Sequence, residues 1–146
     1  MNERDAIKAL VLGIQSDLVD YAQLETLLEQ QFRAALVPNA ARMADVSATI
    51  FSLCETLEQR RRERSRLTRA LGGVSGAEAM PAIFARLPEA LANRCREGWQ
   101  RLQRHVLQCQ ALNQRNGELM TAQQQLLERV LFGEASATYA PQGDAA

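Results

Sequence analysis

The stretch LANRCREGWQRLQRHVLQCQALNQRNGELMTAQQQLLERVLF (residues 91–132) decides the fold. Cys95, Trp99, Leu102, Val106 and Cys109 alternate steps of four and three, the period of a helix packed along its length against other helices. The same register carries Asn113 and Asn116 into the seam, followed by Met120, Gln123, Leu127 and Val130. Asparagine at core positions costs stability but fixes register. Asn116-Gly117 is also a turn signal, and glycine inside a helix is ~1 kcal/mol worse than alanine. Because the periodicity resumes in phase beyond it, the spacing predicts one helix from about Pro88-Glu89 to about Phe132.

Upstream, Ile7, Val11, Ile14, Leu18, Tyr21, Leu24, Leu28 and Phe32 mark a first helix from about Arg4 to Leu36, stopped by Pro38-Asn39. A second runs from about Ala41 to Leu71. Met43, Ile50, Leu57 and Leu71 share one heptad position and Val46, Leu53 and Leu67 the other, with Arg64 and Arg60 in the gaps. Gly72-Gly73 and Ser75-Gly76 end it. Residues 77–87 read as a short helical turn that caps the bundle and links to the last helix. The expected fold is all-α: about three long antiparallel helices in a coiled-coil-like bundle, plus a short linking helix. Residues 1–132 form one helical bundle domain, and 133–146, small and polar apart from Tyr139, form a flexible C-terminal tail. Tyr139 is either incidental or an anchor for a partner.

Composition agrees. The 146 residues are rich in Ala, Leu, Gln, Glu and Arg, and aromatics are only 5%, so helix formers far outnumber strand formers. Lys+Arg and Asp+Glu are both 17, so no global field favours nucleic acid or an anionic membrane. The N-terminus lacks a basic start, apolar run and cleavage site, and no apolar run approaches the ~18 residues that span a bilayer. A soluble, cytoplasmic protein without membrane insertion is expected. The three cysteines, Cys54, Cys95 and Cys109, lie inside helical patterns and read as reduced, buried thiols. His105 and Cys109 share a helix face, but two ligands without a CxxC or second histidine are weak grounds for a metal.

Catalysis needs an acid–base pair or an activated nucleophile in a cleft. The chain has one histidine, and Gly72–Gly76 lacks the Lys and Ser/Thr of a phosphate loop. No enzyme and no cofactor are expected. The arginines Arg60, Arg61, Arg62, Arg64, Arg66 and Arg69 could follow a phosphate backbone, yet no aromatic is interleaved to stack on bases. Glu55, Glu58 and Glu63 stand at pairing distance, so a solvated, partly paired face is the favoured reading and no nucleic-acid partner is expected. What remains is apolar surface. Leu119, Met120, Leu126, Leu127, Val130, Leu131 and Phe132 spread wider than a two-helix seam. They suit a groove for a partner helix, or an ordinary core, or a homodimer interface.

Three features resemble the FlgN family of flagellar export chaperones. These are the leading helix with LETLLEQ (Leu24 to Gln30), a second helix ending in an arginine-rich run, and a Gly-containing link. The resemblance is sharpest at Asn113, Asn116 and Gly117, similar to that family's N-x-x-N-G pattern, and at Tyr139 and Gly143, similar to its Tyr-Gly-x-x-Gly-type tail, with Ala140 where glycine is common. It implies a cytoplasmic chaperone for the hook–filament junction (hook-associated) proteins, which holds their C-terminal segments and delivers them to the export gate. Under that reading Leu112, Leu119, Met120, Leu126, Leu127 and Val130 contact the client, Asn113 and Asn116 set register, and Tyr139 docks on the gate. A coiled-coil adaptor or homodimer without a client is the alternative.

Overall fold

Asparagines open two of the long helices. In helix α1 (Glu3–Leu36) the Asn2 side chain accepts the Asp5 backbone N–H at 2.8 Å, and in α2 (Ala40–Ala70) Asn39 accepts that of Arg42 at 3.0 Å. Each satisfies a donor that the first helical turn leaves without an intrahelical partner. The computed structural model describes residues 1–37, 39–72 and 76–139, with side chains described as far as Leu131. Gly72 follows the end of α2 with φ +69°, a left-handed conformation that ends helices at little cost only for glycine. A 3-10 turn (Gly76–Glu78) and helix α3 (Ala79–Phe84) follow, then α4 (Glu89–Tyr139), whose Ala92 N–H donates to the Pro88 carbonyl at 2.8 Å. Pro38, Gly73 and Ser75, expected as helix stops, lie outside the described residues, as does 140–146 of the expected tail.

These are the expected elements, and the last helix is longer than expected. The last helix is continuous through Asn116-Gly117 and runs to Tyr139, past Phe132. Gly117 is exposed, and a Cβ there would meet nothing within 4 Å, so the glycine relieves no crowding. At 51 residues α4 is about 75 Å long, half as long again as α1.

Helix α1 lies against both other long helices, while α3 touches α4 and α2. Bonds from α1 to α2 join Asp17 to Arg60 and Gln31 to Ser47, so these two helices run antiparallel. Bonds from α1 to α4 join Tyr21 to Cys109, Leu28 to Asn116 and Ala35 to Gln123, so α4 runs parallel to α1. The result is an up–down–up bundle, all-α as the periodicity implied.

The core has two apolar clusters. At the α3 end Leu10 and Ile14, Leu67, Cys95 and the α3 residues Met80, Ile83 and Phe84 pack together, with Ile83 and Phe84 almost wholly enclosed. The short segment therefore does cap the bundle. Nearer the other end Leu24, Leu28, Leu57, Cys109 and Leu112 form the second cluster. Between them Asp17, 2% exposed, accepts from Arg60 Nη1 at 2.6 Å and Arg64 Nη1 at 2.9 Å. Arg60 also reaches Asp20 at 2.7 Å, and the Arg64 guanidinium lies 5.2 Å from the centre of the Trp99 ring. The two arginines that interrupt the apolar rows of α2 thus sit at the interface as ion-pair partners of α1.

One seam residue is corrected. Asn113 is exposed, and Leu112 takes the buried place. The axis of contact on α4 is the row Cys95, Leu102, Cys109, Asn116, all buried, and a flanking row lies on each side. One flank, Trp99, Val106 and Asn113, is apolar at first and loses burial at Asn113. The other, Gly98, His105, Leu112 and Leu119, stays buried or half-buried throughout. Gly98 and His105 carry no hydrophobic signal, so the pattern in the sequence favours the first flank.

Candidate functional site

The end of α1 is held to α4 by Gln123, whose side-chain amide donates to the Ala35 carbonyl at 2.6 Å. α1 stops at Leu36, but α4 continues to Tyr139. Beyond Gln123, then, α4 outruns the helix it is packed on. Four large apolar side chains lie there: Leu126 is 56% exposed, Leu127 57%, and Val130 and Leu131 58% each. Leu127, Val130 and Leu131 stand three and four apart, so they share one helical face. Leu36 and Val37 at the end of α1 are exposed as well, and Leu119 and Met120 are half-buried one to two turns back on α4.

A polar latch anchors this projecting end. Asn116 is fully buried; its amide donates to the Leu28 carbonyl at 2.7 Å and to Gln31 Oε1 at 3.0 Å. Gln31 passes the chain to α2 by donating to Ser47 Oγ at 3.2 Å. On the other side Arg115 donates to Asn116 Oδ1 at 3.1 Å and to Glu29 at 3.2 Å, and its guanidinium stacks 3.7 Å from the Phe32 ring centre. All three long helices are tied together at one level. Sliding or rotating α4 would break both buried Asn116 bonds and the Arg115–Glu29 pair at once, so the latch fixes which face of the projecting helix is apolar. Among the described residues no buried side-chain polar atom lacks a partner.

The expected site residues therefore divide. Leu126, Leu127 and Val130 are free for a partner, and Leu119 and Met120 are partly so. Leu112 and Asn116 are used inside the bundle, and Asn113 faces solvent without a place in the seam. Of the Tyr139 side chain nothing is described. Leu36 and Val37, Gln31, Ser47 and Arg115 are additions. For Gln31 a signal was present: Leu10, Asp17, Leu24 and Gln31 repeat every seven residues on α1, so a polar residue in that row had to find a polar partner.

The arginine run is largely neutralised. Arg61 and Arg62 pair with Glu58 and Arg66 with Glu63, while Arg60 and Arg64 turn to α1. The bonds from Arg61 hold the Glu58 carboxyl down at about 2. Arg61, Arg62 and Arg66 thus form the solvated, partly paired face that the spacing of Glu58 and Glu63 implied, and Arg60 and Arg64 do not. His105 pairs with Glu25 across α1 and α4, and Cys109 Sγ lies 3.7 Å from the Tyr21 carbonyl. Burial, with Glu25 nearby, pushes the Cys109 thiol up to about 12, and burial also raises Cys95. Cys54, expected to be buried, is exposed, because it lies off the contact rows of α2. At pH 8 a chromogenic disulfide reagent should therefore titrate Cys54 alone. Cys109, about four orders of magnitude short of thiolate at that pH, should react only in denaturant. Equal reaction of all three in the native protein would contradict this packing.

Among the described residues the buried polar side chains all find partners and the longest helix carries exposed apolar residues near its end, an arrangement that fits a helical partner-binding protein. The family model described as FlgN protein matches residues 1–145, and the chain belongs to the FlgN family. Membership gives it the general role of a flagellar export chaperone. No curated protein and no solved structure matches the chain significantly. No described helix is long and apolar enough to cross a membrane.

Proposed function

We propose that this chain is a cytoplasmic chaperone that binds the C-terminal segments of the hook–filament junction proteins, prevents their premature association and delivers them to the export gate. The observation that carries the reading is the exposed apolar face of Leu126, Leu127, Val130 and Leu131 on the part of α4 that outruns α1. An amphipathic client helix laid along this face, with Leu119 and Met120 at its inner end, covers apolar surface on both partners. Asn113 and Asn116 were expected to set register; Asn116 keeps that role by holding α4 rather than by touching the client. No cofactor or nucleotide enters this mechanism. Ordering the client offsets part of the contact energy, which suits a chaperone that must release its cargo.

Calorimetric titration of the full chain with C-terminal peptides of its host's two junction proteins, and with a flagellin C-terminal peptide as control, tests the proposal. Selective binding of the junction segments is the expected result. No binding, together with a tight homodimer by light scattering, would make the end of α4 an oligomer interface instead. Tyr139 is proposed as the gate anchor. Tyr139→Ala should weaken binding to the isolated export-gate domain while the client titration stays unchanged; equal loss of both would remove that assignment.

A further inference from the structure

The far end of the molecule, next to α3, carries a second apolar surface. Ile7, Val11 and Leu12 of α1 face Leu87, Pro88 and Leu91 across an open groove of about 900 Å³. Through Val11 and Leu91 it continues into a narrower cleft of about 410 Å³ between Ile14 and Leu18 on one wall and Cys95 and Gly98 on the other. Leu12 stands half-exposed at its edge. Nothing in the bundle needs this surface open.

The rim is basic. Arg4 and Lys8 stand on the α1 wall of the groove, and Arg94 and Arg101 on the α4 wall of the cleft. Among the described residues none of these four makes an ion pair. Within the arginine run of α2, by contrast, Arg60, Arg61, Arg62, Arg64 and Arg66 are engaged with carboxylates, and among the described residues Arg69 is not. Of the two acids on the rim, Glu3 lies 3.7 Å from Arg86, which leaves Glu97 alone facing four free cations. Cations are thus left unpaired beside the apolar groove in a chain whose net charge is zero.

We propose that this groove docks an amphipathic helix of a partner protein, one with an apolar stripe flanked by acidic residues. The stripe seats on Ile7, Val11, Leu12 and Leu91, and carboxylates on either side meet Arg4 and Lys8 or Arg94 and Arg101. Arg94 and Arg101 are seven residues apart, about 10 Å along α4, so acids repeating every two turns match them. Such rim charges select the partner and its direction, and the apolar floor holds it. The surface lies at the opposite end from Leu126–Leu131. It is independent of the client reading, and both could be occupied together.

The probe is a synthetic 18-residue helix-forming peptide with leucines along one face and glutamates flanking them; its control carries lysines in place of the glutamates. Measured by fluorescence anisotropy on the full chain, the acidic peptide should bind at least tenfold tighter than the basic one, and its affinity should fall as salt rises. Arg94→Glu with Arg101→Glu should lower that affinity at least tenfold with unchanged helicity by circular dichroism. Leu127→Asp with Val130→Asp should leave it intact. Four results would overturn the proposal: binding of neither peptide, equal binding of both, indifference to the charge reversal, or sensitivity to Leu127 and Val130 instead. A dimer that Leu12→Asp converts to monomer would also overturn it, since the groove would then belong to a second copy of this chain.

Discussion

Aspartate at both Leu127 and Val130 is expected to abolish client binding and leave the bundle as stable as before. Both side chains are more than half exposed in the free protein, so the folded state loses little by their removal. Substitutions at such positions usually change stability by no more than about 0.5 kcal/mol. In the proposed complex the balance is different. Each residue completes its burial against the client, and a replacement carboxylate there must be stripped of water without a cation to meet it. The lost apolar contact is worth about 1 kcal/mol per side chain, and the desolvation of each aspartate adds about 2 kcal/mol or more. Together these amount to about four orders of magnitude in Kd. Calorimetry with the junction-protein peptides reads the affinity, and thermal unfolding by circular dichroism reads the bundle. Wild-type affinity in the double variant would remove the projecting face from the client site. A large drop in melting temperature would show that the face is packed within the molecule.

The helices were legible because their signals are local. Pro38-Asn39 and Gly72-Gly73 as stops, and rows of leucine and isoleucine at heptad spacing, required no knowledge of the partner helix, whereas the capping roles of Asn2 and Asn39 emerged only in the folded chain. Legibility failed where burial was not apolar. α1 is packed on two sides, so its buried face is wide enough to take in Ala6, Asp17, Gln31 and Ala34, which a count of hydrophobic positions passes over. On α4 the same blindness hid the Gly98–His105 flank and put Asn113 in the seam where Leu112 belongs. The candidate face itself shows a different limit. Leu112, Leu119, Leu126 and Val130 look alike in sequence, and what separates a core leucine from a free one is where the neighbouring helix ends. That length difference between α1 and α4 is a property of the assembled bundle.

Asp17→Ala is expected to be the most destabilising single substitution in the interface between α1 and α2, by about 3 kcal/mol or more, because it leaves two guanidiniums there without their shared anion. Arg60 keeps Asp20, but Arg64 keeps only the face of Trp99, and the two cations then repel each other near the middle of the bundle. For a chain of this size that loss corresponds to a fall of roughly 10 °C in melting temperature. Exposed pairs on the same helix set the contrast: Arg61→Ala, which removes a bond to solvent-facing Glu58, should leave the midpoint where it was. A triple substitution separates stability from specificity. Replacing Asp17, Arg60 and Arg64 together by leucine removes the buried anion and both of its cations, leaves partly exposed Asp20 to water, and should recover most of the lost stability, as removal of buried ion clusters often does. Urea unfolding gives each free energy, and the order expected is wild type close to the triple variant, with Asp17→Ala well below both. An Asp17→Ala protein as stable as wild type would mean that water already screens the cluster. A triple variant as weak as Asp17→Ala would mean that the ion pairs are themselves the main hold between the two apolar clusters.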